Sequence, residues 1–493
     1  MSAHSDVSGQ TNPNIILIVA DDLGWSDLGC YGGEIATPHL DRLANRGIRF
    51  TQMHNTAKCF PSRACLLTGL YSQQAGMTGP NAKFQNATTL AAVLKETGYK
   101  TIAVGKHHGT DNLHDIGFDH YWGLRDGASN YFNPGLQRKG EPKPAQKRSR
   151  TWCFDDKVIN PYTPKDPNFY TTDAYTDWAI DFLDRYKEDP APFFLYLAYQ
   201  APHDPLHAWP EDIEKYEGRY DEGFEVIAEA RYQKQLELGL IDDRHLRSIP
   251  THREWHRLSE AEKKDQTRRM EVYAAMIDRL DQNIGRLIKK IDALGEMQNT
   301  LILFVSDNGA SAEIVEIGNG PIGSIDRWSS LKADWANVCN TPLRLYKNYS
   351  HQGGINTPMI AHWPNGIQNP GRFSDYVGHF IDFMPTLIEL TNAKYPNEYQ
   401  GHSTIPMQGQ SFLPVFHNRE VTRNAPLYWQ WQRGKAVRQG KWKWVKWGQQ
   451  TQLFNLKTDR SETQNQIHHY PEIAQKLEKM HANWEKSVGI GKK

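Results

Sequence analysis

Four short apolar runs in this sequence are each followed closely by side chains capable of chemistry. Asn14–Ala20 (NIILIVA) leads into Asp21-Asp22, and Lys100–Val104 into Gly105-Lys106-His107-His108. Phe193–Tyr199 leads into Ala201-Pro202-His203, and Leu301–Val305 into Ser306-Asp307-Asn308-Gly309. Asp21, Asp22, Asp307 and Asn308 form an oxygen-rich, hard ligand set, suited to Ca2+ or Mg2+ and not to zinc. Three carboxylates confined in one pocket repel each other, and a divalent cation is the natural compensation. Ca2+ is favoured over Mg2+ because it accepts an irregular, carboxylate-rich cage that keeps few waters. Taken singly, each residue has a blander explanation. An Asp after a strand is more often a turn former or helix cap, and a lone His is more often surface or core. The agreement of four run ends is what weakens that explanation.

A fifth feature is Cys59-Phe60-Pro61-Ser62-Arg63, followed by ACLLTG at 64–69. If Pro61 or Ser62 starts a helix, Cys59 sits at its N-terminal mouth, where backbone N–H groups favour an anion. The thiol reads either as a small buried hydrophobe or as a nucleophilic thiolate of depressed pKa. Neither suits a hard-cation site, because a soft thiolate is a poor partner for Ca2+ or Mg2+. If Cys59 belongs at this metal, the chemistry needs an oxygen there.

The elements that must position these residues follow an α/β rhythm: short apolar runs alternate with helical patterns, as in a mostly parallel sheet. Thr37 and Pro38 open one helix and Gly47 ends it; Thr88 to Thr97 forms a second, closed by Gly98. Met270, Tyr273, Ile277, Leu280, Ile284, Ile288 and Ile291 recur at helical spacing up to Gly295. In such open sheets, ligands bind outside the carboxyl ends of the strands, where the four polar clusters would converge. A chain of 493 residues exceeds what one core organises, so a large domain over 1–415 and a smaller one over 416–493 are expected. Residues 138–150 hold six Lys/Arg and one Glu with prolines, which reads as a solvated insertion loop. After about 415, TyrTrpGlnTrp (428–431) and LysTrpLysTrp (441–444) alternate like an antiparallel hairpin.

The 57 Lys+Arg balance 57 Asp+Glu, which argues against a nucleic-acid partner. No apolar run approaches the ~20 residues of a membrane span. Met1–Thr11 is polar and lacks a signal-peptide core, so the chain as written reads as cytoplasmic; removal of a leader would make it periplasmic or secreted. Five cysteines are too few for a disulfide framework, and Cys30, Cys65, Cys153 and Cys339 read as packed thiols.

The Cys59-Phe-Pro-Ser-Arg63 motif with LeuLeuThrGly after it resembles the maturation motif of type I sulfatases, in which the cysteine is oxidised to formylglycine. The family's other blocks follow in the family's order. Asp21-Asp22 looks like its N-terminal metal pair, and Ser306-Asp307-Asn308-Gly309 like its second. Gly105-Lys106-His107-His108 is similar to its Gly-Lys-Trp-His block, with His107 in place of the Trp. Ala201-Pro202-His203 matches the next block. Thr341-Pro342-Leu343-Arg344 through Lys347 to Gly353-Gly354 resembles the block that supplies a sulfate-binding lysine, here Lys347. Residues 453–464 look like the family's C-terminal strand motif. Within 203–232, Glu211-Asp212-Ile213, Lys215-Tyr216 and Tyr220-Asp221-Glu222-Gly223 are similar to the bacterial arylsulfatase branch.

The resemblance implies an alkaline-phosphatase-like α/β fold: a large mixed, mostly parallel sheet flanked by helices, plus a small C-terminal antiparallel-sheet domain. It implies hydrolysis of an aryl or carbohydrate sulfate ester, with Ca2+ bound by Asp21, Asp22, Asp307, Asn308 and residue 59. A maturase acting on the unfolded Cys59 motif is implied with it. In that scheme a hydroxyl of hydrated formylglycine attacks sulfur. Lys106 and Lys347 neutralise the sulfate oxygens, and His203 protonates the departing alcohol or phenol, a role Lys347 could share. His108 removes the proton that lets sulfate leave, and Arg63 orients the hydrate. His207 and Asp204 could line the leaving-group pocket with Tyr131 and Phe132, or serve as turn and helix-entry residues. The rival activity is a phosphodiesterase or phosphonate monoester hydrolase on the same scaffold; a rival of another class is a silent glycan-binding relic. Trp429 to Trp447, with six Lys/Arg and no acid, reads either as a platform for a sulfated sugar or as a hairpin packing alternate indoles inward.

Overall fold

The computed structural model describes residues 12–490; the polar stretch Met1–Thr11 lies outside them. Its centre is a sheet built from β1 (Asn14–Asp21), β2 (Ile48–His54), β3 (Lys100–Gly105), β4 (His120–Leu124), β5 (Trp152–Phe154), β6 (Lys157–Ile159), β7 (Phe193–Pro202), β8 (Thr300–Ser306), β9 (Asn356–His362), β10 (Arg372–Ser374) and β11 (Gly378–His379). The order is β10-β2-β9-β8-β1-β7-β3-β4-β5-β6, with β11 pairing β2. β8, β1, β7, β3 and β4 run parallel to their neighbours in that order; β9 and β5 are antiparallel to theirs. The carboxyl ends of β3, β7, β1 and β8 therefore lie side by side.

β1 is a continuous apolar run because it is covered on both faces, and all eight of its residues are buried. Its alternation divides two cores. Ile16 and Ile18 join the side chains of the long helix Glu260–Ala293, while Ile15, Leu17 and Val19 join those of the helices Cys59–Thr68, Leu90–Lys95 and Phe383–Thr391. The long helix starts ten residues before the first periodic methionine, fixed by a capping box between Ser259 and Glu262. The helix expected over 88–97 is shorter: it spans Leu90–Lys95, and the Thr89 hydroxyl accepts from the Ala92 N–H. The Cys59 helix starts two residues before Pro61, so Cys59 is its first residue and not a residue ahead of it. Segment 138–150 has neither helix nor strand, yet it is only partly solvated, since Ala145 and Arg150 are buried. No helix of the described residues is long and apolar enough to cross a membrane, and the five cysteines are free and buried.

The C-terminal part forms a four-stranded antiparallel sheet (Leu427–Trp431, Gly434–Gln439, Trp442–Trp447, Gln450–Asn455) with the helix Pro471–Ser487 across it. Both faces are covered. Val437, Trp444 and Leu453 meet Ala474 and Leu477 of the helix, while Trp429, Ala436, Val445 and Phe454 join the core of the main sheet. Trp429 and Trp444 are thus packed, whereas Trp431, Trp442 and Trp447 stay partly exposed. The lysines do not all point outward. Lys443 is fully buried on the side of the main domain, 2.7 Å from Glu462, whose other oxygen accepts from the Gln352 N–H at 2.7 Å. Lys443→Met leaves the Glu462 carboxylate buried without its counter-charge, a loss of about 3 kcal/mol or more. Lys446→Met, at a half-exposed site, serves as the control, with a loss of about 1 kcal/mol or less. Urea denaturation of the two full-length variants checks the difference.

Candidate active site

Each strand of the parallel set delivers one part of a single cluster. Asp21 ends β1 and Asp22 follows it in a left-handed conformation (φ 68°). Lys106 follows β3, His203 follows β7, and Asp307 and Asn308 follow β8. Ligand atoms of Asp21, Asp22, Cys59 and His203 all lie within 4.8 Å of one another. Cys59 is fully buried, with its Sγ 3.9 Å from Asp22 Oδ1. Asn308 Nδ2 donates to the same Asp22 oxygen at 2.6 Å. Asp307 stands at one side: its Oδ2 accepts from Arg63 Nε at 2.8 Å and its Oδ1 from the Asp22 N–H at 3.4 Å.

Buried cations offset this crowd of acids. Lys106 Nζ donates to Asp21, and Lys347 Nζ lies 2.8 Å from Asp22 and 2.9 Å from Glu313. Arg63 also donates to the Lys106 carbonyl at 2.7 Å, tying the Cys59 helix to the end of β3. Burial works against the charge on Asp21, but Lys106, His203 and Arg63 hold its carboxyl far below the usual range. In Asp307, burial and the neighbouring Asp21 outweigh Arg63 and push the carboxyl up. The two acids are too close to share the site as anions at no cost, and a cation relieves that conflict. Two buried oxygens, Asp21 Oδ1 and Asn308 Oδ1, have no hydrogen-bond donor and are free to ligate. Together with the Asp22 carboxylate they make a hard donor set that fits a divalent cation.

The two histidines differ in kind. His203 Nε2 lies 3.6 Å from Asp22, and its Nδ1 lies 2.8 Å from Asp204 Oδ1. Burial opposes its charge, but Asp22 and Asp21 prevail and raise the imidazole well above its ordinary value. Asp204 is fixed in turn by Ser330 and by the Trp328 indole, and it lies below the usual carboxylate range because His203 outweighs its burial. Asp204 is therefore the residue that orients His203. His108, at φ 66°, is driven well below its ordinary value by burial and by Lys106 and stays neutral. His107 is buried with neither ring nitrogen hydrogen-bonded, its Nε2 4.0 Å from Asp111, and burial pulls it down to about 3.

His207 stands apart from the cluster. It is fully buried, its Nδ1 accepts from the Tyr131 N–H at 3.3 Å, and its Nε2 lies 2.9 Å from the Arg327 carbonyl. With both nitrogens held by backbone, it has none to offer a substrate. It props the loop where the Tyr131 hydroxyl donates to the His203 carbonyl at 2.8 Å. One contributor, Glu313, has no sequence signal, and Trp431 of the Trp-rich segment joins it at the site. Glu313 bridges Lys347 and Lys58, and no local pattern marks it. Trp431 packs edge-on to Phe60 at 5.2 Å and donates to Asn348 at 3.0 Å, so the C-terminal sheet reaches the Cys59 helix.

The sulfatase family model matches residues 13–393, and the C-terminal model of N-sulphoglucosamine sulphohydrolase matches residues 344–487. An uncharacterized sulfatase of Schizosaccharomyces pombe is 32% identical over 97% of this chain and 94% of its own length. The chain belongs to the sulfatase family. An arylsulfatase of Klebsiella aerogenes is 31% identical to this sulfatase over 85% of the chain and 95% of its own length. The solved structure of Ps i-CgsB in complex with k-i-k-neocarrahexaose superposes with a TM-score of 0.72 at 26% identity, covering 97% of this chain and 94% of that one. The sulfatase is accordingly an enzyme that hydrolyses sulfate esters on an alkaline-phosphatase-like fold, with a nucleophile derived from Cys59.

The position of His108 depends on a close approach. A Cβ at Gly127 would lie 2.7 Å from His108 Nε2, and no positive φ sets that glycine apart. Gly127→Ala therefore displaces the ring without straining the backbone, and kcat/KM for 4-nitrophenyl sulfate falls by about tenfold or more. The melting temperature, measured alongside, stays near that of the parent.

Proposed function

We propose that the sulfatase cleaves aryl or carbohydrate sulfate esters with Ca2+ and a formylglycine made from Cys59. The observation that carries this reading is the place of Cys59: a buried residue at a helix start, among hard oxygen ligands. Burial pushes its thiol up, so the side chain is a neutral SH and a weak nucleophile. Formylglycine, once hydrated, supplies there a hydroxyl to attack sulfur and a second hydroxyl through which sulfate is later released. Asp21, Asp22, Asp307 and Asn308, with an oxygen at position 59, would hold Ca2+, which would supply Lewis-acid charge at the sulfate.

The remaining work falls to side chains already in place. The Lys106 and Lys347 ammonium groups lie beside Asp21 and Asp22 and can turn to the sulfate oxygens as charge develops on them. His203, held protonated, donates to the departing alcohol oxygen, and Asp204 fixes the ring by its Nδ1. Neutral His108 accepts the proton from the second hydroxyl at position 59. Arg63 holds Asp307 and the Lys106 backbone, so the helix carrying residue 59 keeps its distance from β8 and β3. The aryl or carbohydrate leaving group is supported by the likeness to the Klebsiella aerogenes arylsulfatase and to a structure that holds a neocarrahexaose. Because folded Cys59 is fully buried, the maturase this reading requires acts on the segment before it folds.

Mass spectrometry of the peptide containing Cys59, from active enzyme, should show an aldehyde in place of the thiol; an unmodified cysteine at full activity overturns the reading. Cys59→Ser can be sulfated once but has no second hydroxyl, so it gives no repeated turnover of 4-nitrophenyl sulfate. Sulfate and phosphate ester rates on one preparation separate this activity from that of a phosphoester hydrolase. The general-acid role fixes a pH dependence. His203 is active while protonated, its pKa is raised, and activity falls as pH rises through that value. Asp204→Asn removes a carboxylate that stabilises the imidazolium, so the alkaline limb of kcat/KM moves down by about one pH unit. A limb left in place would assign the proton to another group.

A further inference from the structure

A cavity of about 460 Å3 lies where β2 and the segment after β10 meet the C-terminal sheet. None of the residues gathered around Cys59 lines it. Its wall carries six Lys or Arg side chains against two aspartates. Most of the guanidinium groups there are paired. Arg244 lies 2.6 Å from Asp242, Arg460 lies 3.0 Å from Asp375, and Arg423 is bound to buried Asp382.

Arg438 is not. It is only 6% exposed, and it donates to Gln52 Oε1 at 2.7 Å and to the Gly440 carbonyl at 3.3 Å. Its Nη1 lies 3.5 Å from His54 Nε2. Among the described residues no carboxylate pairs with it. A buried charge satisfied only by neutral acceptors is costly, and an anion entering the cavity removes that cost. Burial, with Arg460 and Arg423 nearby, lowers the Arg438 pKa to about 9, which still leaves it charged at neutral pH.

We propose that this cavity is a second anion site, which takes the sulfate or phosphate group of a small organic anion on Arg438. Arg460 stands beside it, and the exposed Lys441 and Lys457 steer ligands at the mouth. Planar guanidinium forks match the oxygens of a tetrahedral anion in a way a lone ammonium does not. The volume falls within the range of small-molecule pockets and exceeds what a bare oxyanion fills. Val377, Val421, Leu427 and Leu456 give the organic portion an apolar wall. Asp242 and Asp375 also face the cavity, and their pairing with Arg244 and Arg460 keeps them from competing for Arg438.

The test uses the full-length chain with Cys59→Ala, so that an ester is not turned over. Calorimetric titration with inorganic sulfate, inorganic phosphate and glucosamine 6-sulfate should show a site beyond the catalytic one. That site weakens by about tenfold or more in Arg438→Gln, and by less in Lys441→Gln, whose exposed position carries no folding risk. Ester binding much tighter than that of the inorganic ions identifies an organic anion; equal affinities identify a free oxyanion. Crystals soaked in glucosamine 6-sulfate should hold it against Arg438. Titrations that fit one site, or a second site that neither substitution moves, overturn the proposal.

Discussion

The carboxylates of Asp21, Asp22 and Asp307 are forced together by strand order, and the structure around them is largely an answer to that confinement. β1 and β8 are hydrogen-bonded neighbours, so the acids that end them cannot separate without breaking the sheet. Lys106 arrives from β3, Lys347 from the segment before β9, and Arg63 from the Cys59 helix. Each is buried, and each has an acid as its partner. Charges so placed hold one another in position, which suits catalysis by preorganised electrostatics. The same cations that hold the acids are the ones a sulfate would meet.

Much of this arrangement is legible in the sequence because it rests on local signals. A strand buried on both faces announces itself by a continuous apolar run, and the residue after its end is fixed by chain geometry. Asp21-Asp22, Lys106, His203 and Asp307-Asn308 are all found that way. What escapes is whatever depends on contacts between distant segments. Glu313 sits in a loop with no periodicity, and only the fold brings it to Lys58 and Lys347. His207 has the same type and nearly the same place as His203, yet its ring nitrogens are held by backbone from 131 and 327. Spacing alone could not tell the histidine that faces Asp22 from the one held by backbone.

The C-terminal sheet is tied into the same problem. Its Lys443 and Glu462 form a buried pair, and Glu462 accepts from the Gln352 N–H, at the end of the segment that carries Lys347. Trp431 meets Phe60, the residue next to Cys59. The alternating Trp and Lys residues thus do two jobs that composition cannot separate. Some close the seam between the sheets, while Trp431 and Trp447 remain partly exposed, with Trp431 beside the Cys59 helix.

The burial of Cys59 also bears on the order of events in assembly. The cysteine belongs to the first sixty residues, but the residues around it include Asp307 and Lys347, 248 and 288 positions later. Once β8 docks beside β1, the thiol has no exposed surface of its own. The conversion proposed for position 59 belongs before that step, while the acids that surround it in the fold are not yet gathered. Burial in the finished fold keeps the thiol neutral and a poor nucleophile, although Lys106 and Lys347 pull the other way.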